Sequence, residues 1–134
     1  MSEPSIFTKI ISGEIPCHKV YEDDKTLAFL DIHPFAAGQT LVIPKKQVEF
    51  VWDLSEEDYR AVWSTARKVA LKLREVFPEK THIGTHVEGL DVPHAHIKVF
   101  AFSNDNEFCA KPNQNTEPDH ASLAKLAQRL LISK

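Results

Sequence analysis

The apolar positions along this chain change period several times, and each change predicts an element. Ile6, Phe7, Ile10 and Ile11 form one stripe at helical spacing, so residues 5–12 read as a short helix that Gly13 ends. Ile15-Pro16 breaks that pattern. Two strand-like runs follow over residues 19–22 and 26–32, separated by the acidic turn Asp23-Asp24-Lys25, and together they read as a hairpin. Residues 34–38 are a loop and 39–44 a third strand. The clearest helix spans residues 56–77, where Tyr59, Val62, Trp63, Ala66, Val69, Ala70, Leu73, Val76 and Phe77 keep a three-four spacing. Ser55 with Asp58 gives a capping box at its start, and Pro78 stops it. A fourth strand covers 81–87 and a fifth 94–102. After a polar stretch over 103–117, a last helix at about 118–132 carries Leu123, Leu126, Ala127, Leu130 and Leu131 on one face. This order predicts an α+β domain, an antiparallel sheet with its helices on one side.

Composition bounds what such a fold does. At 134 residues the chain suits a single domain over 1–134. With 43% hydrophobic and 26% charged residues it is globular. A net charge of −3 leaves no basic face for sequence-independent binding to nucleic acid. No apolar run reaches the length of a membrane span, so no membrane partner is expected. Ser2, Glu3 and Pro4 precede only a short apolar cluster, which is no secretory leader. Cys17 and Cys109, without Cys-x-x-Cys spacing, fit a reducing cytoplasm and no disulfide framework. The one unusual feature is seven histidines, four of them between His82 and His96.

The run Val92-Pro93-His94-Ala95-His96-Ile97-Lys98-Val99-Phe100 concentrates the chemistry. In a strand, residues two apart share a face about 6–7 Å apart. Ala95, Ile97, Val99 and Ala101 would then pack beneath the long helix, leaving His94, His96 and Lys98 in a row on the opposite, accessible face. Three readings compete. The histidines can be the polar side of a half-exposed strand. They can be metal ligands, with His82 and His86 completing the set. Or an imidazole can act as nucleophile or acid–base on an anionic group, with nearby cationic donors stabilising phosphoryl oxygens. Spacing alone leaves all three open.

The wider motif set resembles one family. His94-Ala95-His96-Ile97-Lys98, after Gly89-Leu90-Asp91-Val92-Pro93, is similar to the histidine triad (HIT) signature His-φ-His-φ-His-φ-φ. Ile6-Phe7 with Lys9-Ile10-Ile11-Ser12-Gly13-Glu14-Ile15-Pro16 resembles that family's opening. Val20-Tyr21-Glu22-Asp23-Asp24, then Ala28-Phe29-Leu30-Asp31-Ile32-His33-Pro34, then Gly38-Gln39-Thr40-Leu41-Val42-Ile43-Pro44-Lys45-Lys46 follow in family order. The match runs from about residue 5 to 100.

The resemblance implies a five-stranded antiparallel sheet, pairing as a homodimer, and hydrolysis or transfer at the α-phosphate of purine nucleotides, phosphoramidates or dinucleoside polyphosphates. It implies that His96 is the nucleophile that becomes nucleotidylated, that His94 supports it, and that Lys98 stands where the third triad histidine usually is. It further implies that Asp31 binds the ribose hydroxyls and that Phe7, Phe29 and Ile32 enclose the base. Gln39 replaces a histidine that helps hold phosphate in many relatives, and it keeps a hydrogen-bond donor but no charge. Asp91 receives no phosphate role, and His86 approximates a position where relatives place a ligand-binding Asn. Some bacterial members bind zinc through Cys-x-x-Cys at the opening helix and a later His; here Ser5, Thr8 and Gln47 stand there, so no metal or cofactor is expected. Because Lys98, Gln39 and Asp91 all alter the phosphate environment, a nucleotide-binding module with little catalysis is the second reading. A histidine-ligated metal protein is the third. The polar run 113–116 is expected to border the site, and His18, His33 and His120 need no special role.

Overall fold

The computed structural model describes residues 3–134. Met1 and Ser2, part of the segment read against a leader, lie outside the described residues. Most expected elements form where the patterns place them: α1 (Ile6–Ile11), β1 (Lys19–Glu22), β2 (Thr26–Leu30), β3 (Thr40–Pro44), α2 (Glu56–Val76), β4 (His82–His86), β5 (Ile97–Phe102), α3 (Asp105–Phe108) and α4 (His120–Leu130). Side-chain caps start the helices. Ser5 Oγ accepts from the Thr8 N–H at 3.0 Å, Ser55 Oγ from the Asp58 N–H at 3.1 Å, and Asp119 Oδ1 from the Ser122 N–H at 3.1 Å. Helix α3 was not expected within the polar stretch; Asn104 starts it by accepting from the Glu107 N–H at 2.9 Å.

The five strands form one antiparallel sheet in the order β1-β2-β3-β5-β4. On one face α2 sets Val62, Ala66, Val69 and Leu73 against Ala28, Leu30, Val42, Ile97 and Val99. Ala127 and Leu130 of α4 join that cluster, and the Ile132 N–H donates to the Val20 carbonyl at 2.8 Å, tying the C-terminal end to β1.

The expectation of helices on one side of the sheet is corrected. Every residue of β2 and β3 is buried. Their second face, made by Leu27, Phe29, Leu41 and Ile43, is covered by Phe7, Ile10 and Ile11 of α1. Thr26-Leu27-Ala28-Phe29-Leu30 and Leu41-Val42-Ile43 are near-continuous apolar runs, the pattern of strands buried on both faces.

Two strands are also shorter than expected. Strand β2 stops at Leu30, although the Asp31 N–H still donates to the Gln39 carbonyl, the next residue in the β2–β3 register, at 3.0 Å. Strand β5 begins at Ile97, not at residue 94. Its pairing with β3 ends at Val42↔Ile97, and Pro44, two residues on, has no N–H with which to extend the ladder. The His94 and Ala95 N–H groups go instead to the carbonyls of Val92 (2.8 Å) and Val48 (2.7 Å). Side-chain alternation nevertheless persists through the irregular lead-in: Ala95, Ile97 and Val99 all join the cluster beneath α2, while His96 faces the other side with Phe7.

Among the described residues no helix is long and apolar enough to cross a membrane, and Cys17 and Cys109 are free thiols. Leu73 is 0% exposed between α2 and the sheet, whereas Leu71 on the outer side of the same helix is 45% exposed. Leu73→Ala is expected to cost about 2–5 kcal/mol. Leu71→Ala should stay within about 0.5 kcal/mol of the parent. Urea unfolding midpoints of the two variants check the contrast.

Candidate functional site

Covering the second sheet face with α1 leaves a cavity of about 250 Å³ between α1, the end of β2 and the start of β5. One end is apolar, walled by Ile6, Phe7, Ile10, Phe29 and Leu41, with Ile32 at the rim. The other end is polar and is bordered by Asp31, Asp91, His96 and Lys98. Phe7, Phe29, Ile32, Asp31, His96 and Lys98, the residues singled out by the family resemblance, thus line one cavity. Gln114 and Pro112, from the stretch before α4, also line the cavity, which puts the 113–116 run at the site.

His94 does not share the accessible row foreseen for it. It is fully buried beneath α1, with Phe7 edge-on at 5.8 Å, and does not border the cavity. The reason is the same second-face packing that sequence periodicity alone did not assign to α1. The His94 ring is held at both nitrogens. Nε2 donates to the Pro44 carbonyl at 2.9 Å, so in the neutral ring Nδ1 is the acceptor, and Ser5 Oγ donates to it at 2.8 Å. The Ser5 N–H and the Thr8 hydroxyl both donate to Gln47 Oε1, at 2.7 and 2.6 Å. Ser5, Thr8 and Gln47 therefore form one hydrogen-bonded knot against His94.

His96 is held differently. Its Nδ1 lies 2.7 Å from the His94 carbonyl, which only accepts, so Nδ1 carries the proton and the lone pair sits on Nε2. The Phe7 ring stands edge-on at 5.1 Å and fixes the ring plane. Burial is the largest influence on both imidazoles and pushes their pKa values below the ordinary range, partly opposed by the hydrogen bond of each ring to a backbone carbonyl; at His96 the Lys98 charge also pushes down, against smaller upward effects of Glu88 and Asp31. Both rings are neutral at pH 7.

Asp31 closes its own turn, with Oδ1 accepting from the His33 N–H at 2.9 Å, and it also accepts from Gln39 Nε2 at 3.0 Å through Oδ2. The turn chemistry and the cavity position coexist. Gln39 is corrected: it is 1% exposed and does not border the cavity. Its amide is committed to Asp31 and its Oε1 accepts from the Phe35 N–H at 3.0 Å, so it braces the turn from below. Gly38, at φ 81°, completes that turn; a Cβ there would lie 2.8 Å from Phe77 Cε2.

Lys98 Nζ donates to Glu88 Oε1 at 2.9 Å, a partner the sequence reading did not single out. The signal was available in the β4–β5 register: His86 pairs with Lys98, so Glu88 follows two residues beyond that rung. His86 and His82 stand apart from His94 and His96. His86 packs on Phe35, Phe100 and Phe108 at 4.7–5.5 Å, and His82 on Phe102 at 5.5 Å. Among the described residues no three His, Cys, Asp or Glu side chains converge as metal ligands.

The family model for the HIT domain matches residues 12–104. The chain belongs to the HIT family. Protein hit of Bacillus subtilis is 45% identical over 76 residues, 57% of this chain; the match spans about half, 52%, of that relative. An adenosine 5′-monophosphoramidase of Schizosaccharomyces pombe is 33% identical over 103 residues, 75% of each chain. Among solved structures, a Hit-like protein involved in cell-cycle regulation from Bartonella henselae superimposes with a TM-score of 0.81 at 29% identity, covering 97% of this chain and 96% of that one.

In this HIT protein the positions that relatives use for zinc do not fit that ion. Two hydroxyls and a carboxamide oxygen replace thiolate and imidazole, and they are already engaged in mutual hydrogen bonds and in the bond to His94. The knot performs the structural task of joining α1, the segment after β3 and the lead into β5. The depressed pKa of His94 also has a consequence for stability. Above the unfolded value of about 6.5 the ring is neutral in both states; below it the unfolded chain takes up the proton first, so folding weakens until the lower native pKa is passed. The urea midpoint is expected to fall as pH drops from 7.5 to 5.5, and the His94 and His96 ring protons should titrate by NMR below that reference value.

Proposed function

We propose that this HIT protein is a nucleotide hydrolase or nucleotidyl transferase that acts at the α-phosphate of purine nucleotides, with phosphoramidates or dinucleoside polyphosphates as substrates. The observation that carries this reading is the tautomer of His96. A proton fixed on Nδ1 by the His94 carbonyl leaves Nε2 as an unprotonated nucleophile in a ring that borders a half-apolar cavity. The name of the yeast relative, an adenosine 5′-monophosphoramidase, supports the phosphoramidate class.

In this mechanism His96 Nε2 attacks the α-phosphorus and the P–Nε2 bond forms. The bond to the leaving amine or phosphate breaks, and the leaving group departs with its electron pair and a proton from solvent. Water then attacks the nucleotidyl-imidazole, releases the nucleoside monophosphate and returns His96 to its neutral form. Lys98 offsets the charge that develops on the phosphoryl oxygens. Asp31 accepts from the ribose hydroxyls, while Phe7, Phe29 and Ile32 enclose the base. His94 acts through its carbonyl as a positioning residue, and Gln39 holds Asp31 in place. We take residues 1–134 as one HIT domain that works as a homodimer in a reducing cytoplasm, without a cofactor, nucleic acid or membrane. The β4 edge of the sheet is available for pairing with a second copy.

The test is turnover of an adenosine phosphoramidate. His96→Ala is expected to lower kcat at least about a thousand-fold. Mass spectrometry of the parent protein, quenched at neutral pH, should find an adenylyl adduct on the peptide containing His96. No adduct together with an unchanged rate in His96→Ala overturns the mechanism. The second reading, a binding module with little catalysis, is favoured by the capture of Lys98 by Glu88, and thermal stabilisation by AMP without turnover would select it. Lys98→Ala should lower kcat/KM about 10- to 100-fold; equal activity would remove its assigned role.

A further inference from the structure

The polar end of the cavity is short of positive charge. Among the described residues Lys98 is the one Lys or Arg bordering the cavity, against the carboxylates of Asp31 and Asp91, and His96 is neutral. Even that single cation is occupied. Lys98 Nζ sits 2.9 Å from Glu88 Oε1, and the lysine side chain is only 15% exposed while that of Glu88 is 44% exposed. A pair with a mostly buried cation is not dissolved by solvent as an exposed pair would be.

Glu88 is also close to the chemistry on its other side. It lines, with His96, a small cavity next to the main one. The chain around it is loosely packed. Gly89 follows at φ 66°, with nothing within 4 Å of where its Cβ would be, and Leu90 is 82% exposed. Glu88 therefore sits on a loosely packed turn while Lys98 is anchored in β5 by its pairing with His86 and Leu41.

Resting on the functional reading above, we propose that Glu88 is an intramolecular competitor for Lys98: its carboxylate occupies the phosphate-binding cation in the free protein, and an anionic ligand must displace it. The nucleotide phosphate and the Glu88 carboxylate are alternative acceptors for one ammonium. Ligand entry then consists of a partner exchange, with Glu88 turning outward on the Gly89 hinge as the phosphoryl oxygens take its place. The device sets affinity according to charge. A dianionic phosphate competes effectively, whereas a neutral nucleoside gains nothing from Lys98 and does not disturb the pair.

Calorimetric titration with AMP and with adenosine tests this on the parent protein and on Glu88→Gln, which keeps the size of the side chain. Glu88→Gln is expected to bind AMP about 5- to 20-fold more tightly, with adenosine affinity unchanged. In a Lys98→Met background the same substitution should leave AMP affinity unchanged, because the contested cation is gone. Equal AMP affinity in parent and Glu88→Gln overturns the proposal and leaves the functional reading standing. Weaker AMP binding in Glu88→Gln also overturns it, since Glu88 would then be orienting Lys98 for the ligand. Failure of both proteins to bind either compound overturns the functional reading and the proposal together. Thermal midpoints of all variants separate these outcomes from a loss of folding.

Discussion

Leu27 and Phe29 on β2, with Leu41 and Ile43 on β3, point away from the long helix α2, and they must be covered for the sheet to be stable in water. Helix α1 supplies that cover through Phe7, Ile10 and Ile11, and the other features of the site follow from it. The gap between α1 and the sheet becomes the cavity. The strip of sheet surface at the start of β5 passes under α1, which converts His94 from a surface group into a buried one. Placing Phe7 there also puts its ring edge-on to both His94 and His96. One packing requirement thereby shapes the binding wall and restrains the imidazoles.

The two histidines receive their protonation pattern from neighbouring carbonyl groups. A carbonyl cannot donate, so the Pro44 carbonyl fixes the proton of His94 on Nε2 and the His94 carbonyl fixes that of His96 on Nδ1. Ser5, itself the cap of α1, supplies the donor that His94 Nδ1 needs. Burial reinforces the arrangement by disfavouring the charged form of each ring. The Ser5, Thr8 and Gln47 knot holds the His94 ring, and the backbone carbonyl of that same residue holds His96 Nδ1. Three polar side chains accomplish this without thiolate ligands.

Charge is arranged with equal economy. The net charge of the chain is −3. At the cavity one ammonium faces several carboxylates, so phosphate binding depends on how that ammonium is shared. The β4–β5 register sets the reach between Lys98 and Glu88, and the turn after Glu88 is the least packed part of that pair.

Much of this was legible in residue order. The three-four spacing from Tyr59 to Phe77, the cap at Ser55, and the alternation of Ala95, Ile97 and Val99 depend on local geometry, so they determined element types and which side chains meet α2. The family resemblance singled out Phe7, Phe29, Asp31, Ile32, His96 and Lys98, and all six border one cavity. What only tertiary structure decided is where α1 packs, because an amphipathic helix of six residues can cover either face of a sheet. That choice buried His94, withdrew Gln39 into the turn beneath Asp31 and set Ser5, Thr8 and Gln47 against one ring nitrogen. The pairing of Lys98 with Glu88 was likewise settled by strand register, since charges ten residues apart meet only when β4 and β5 align. Periodicity is a property of neighbours along the chain; partners across it are chosen by burial.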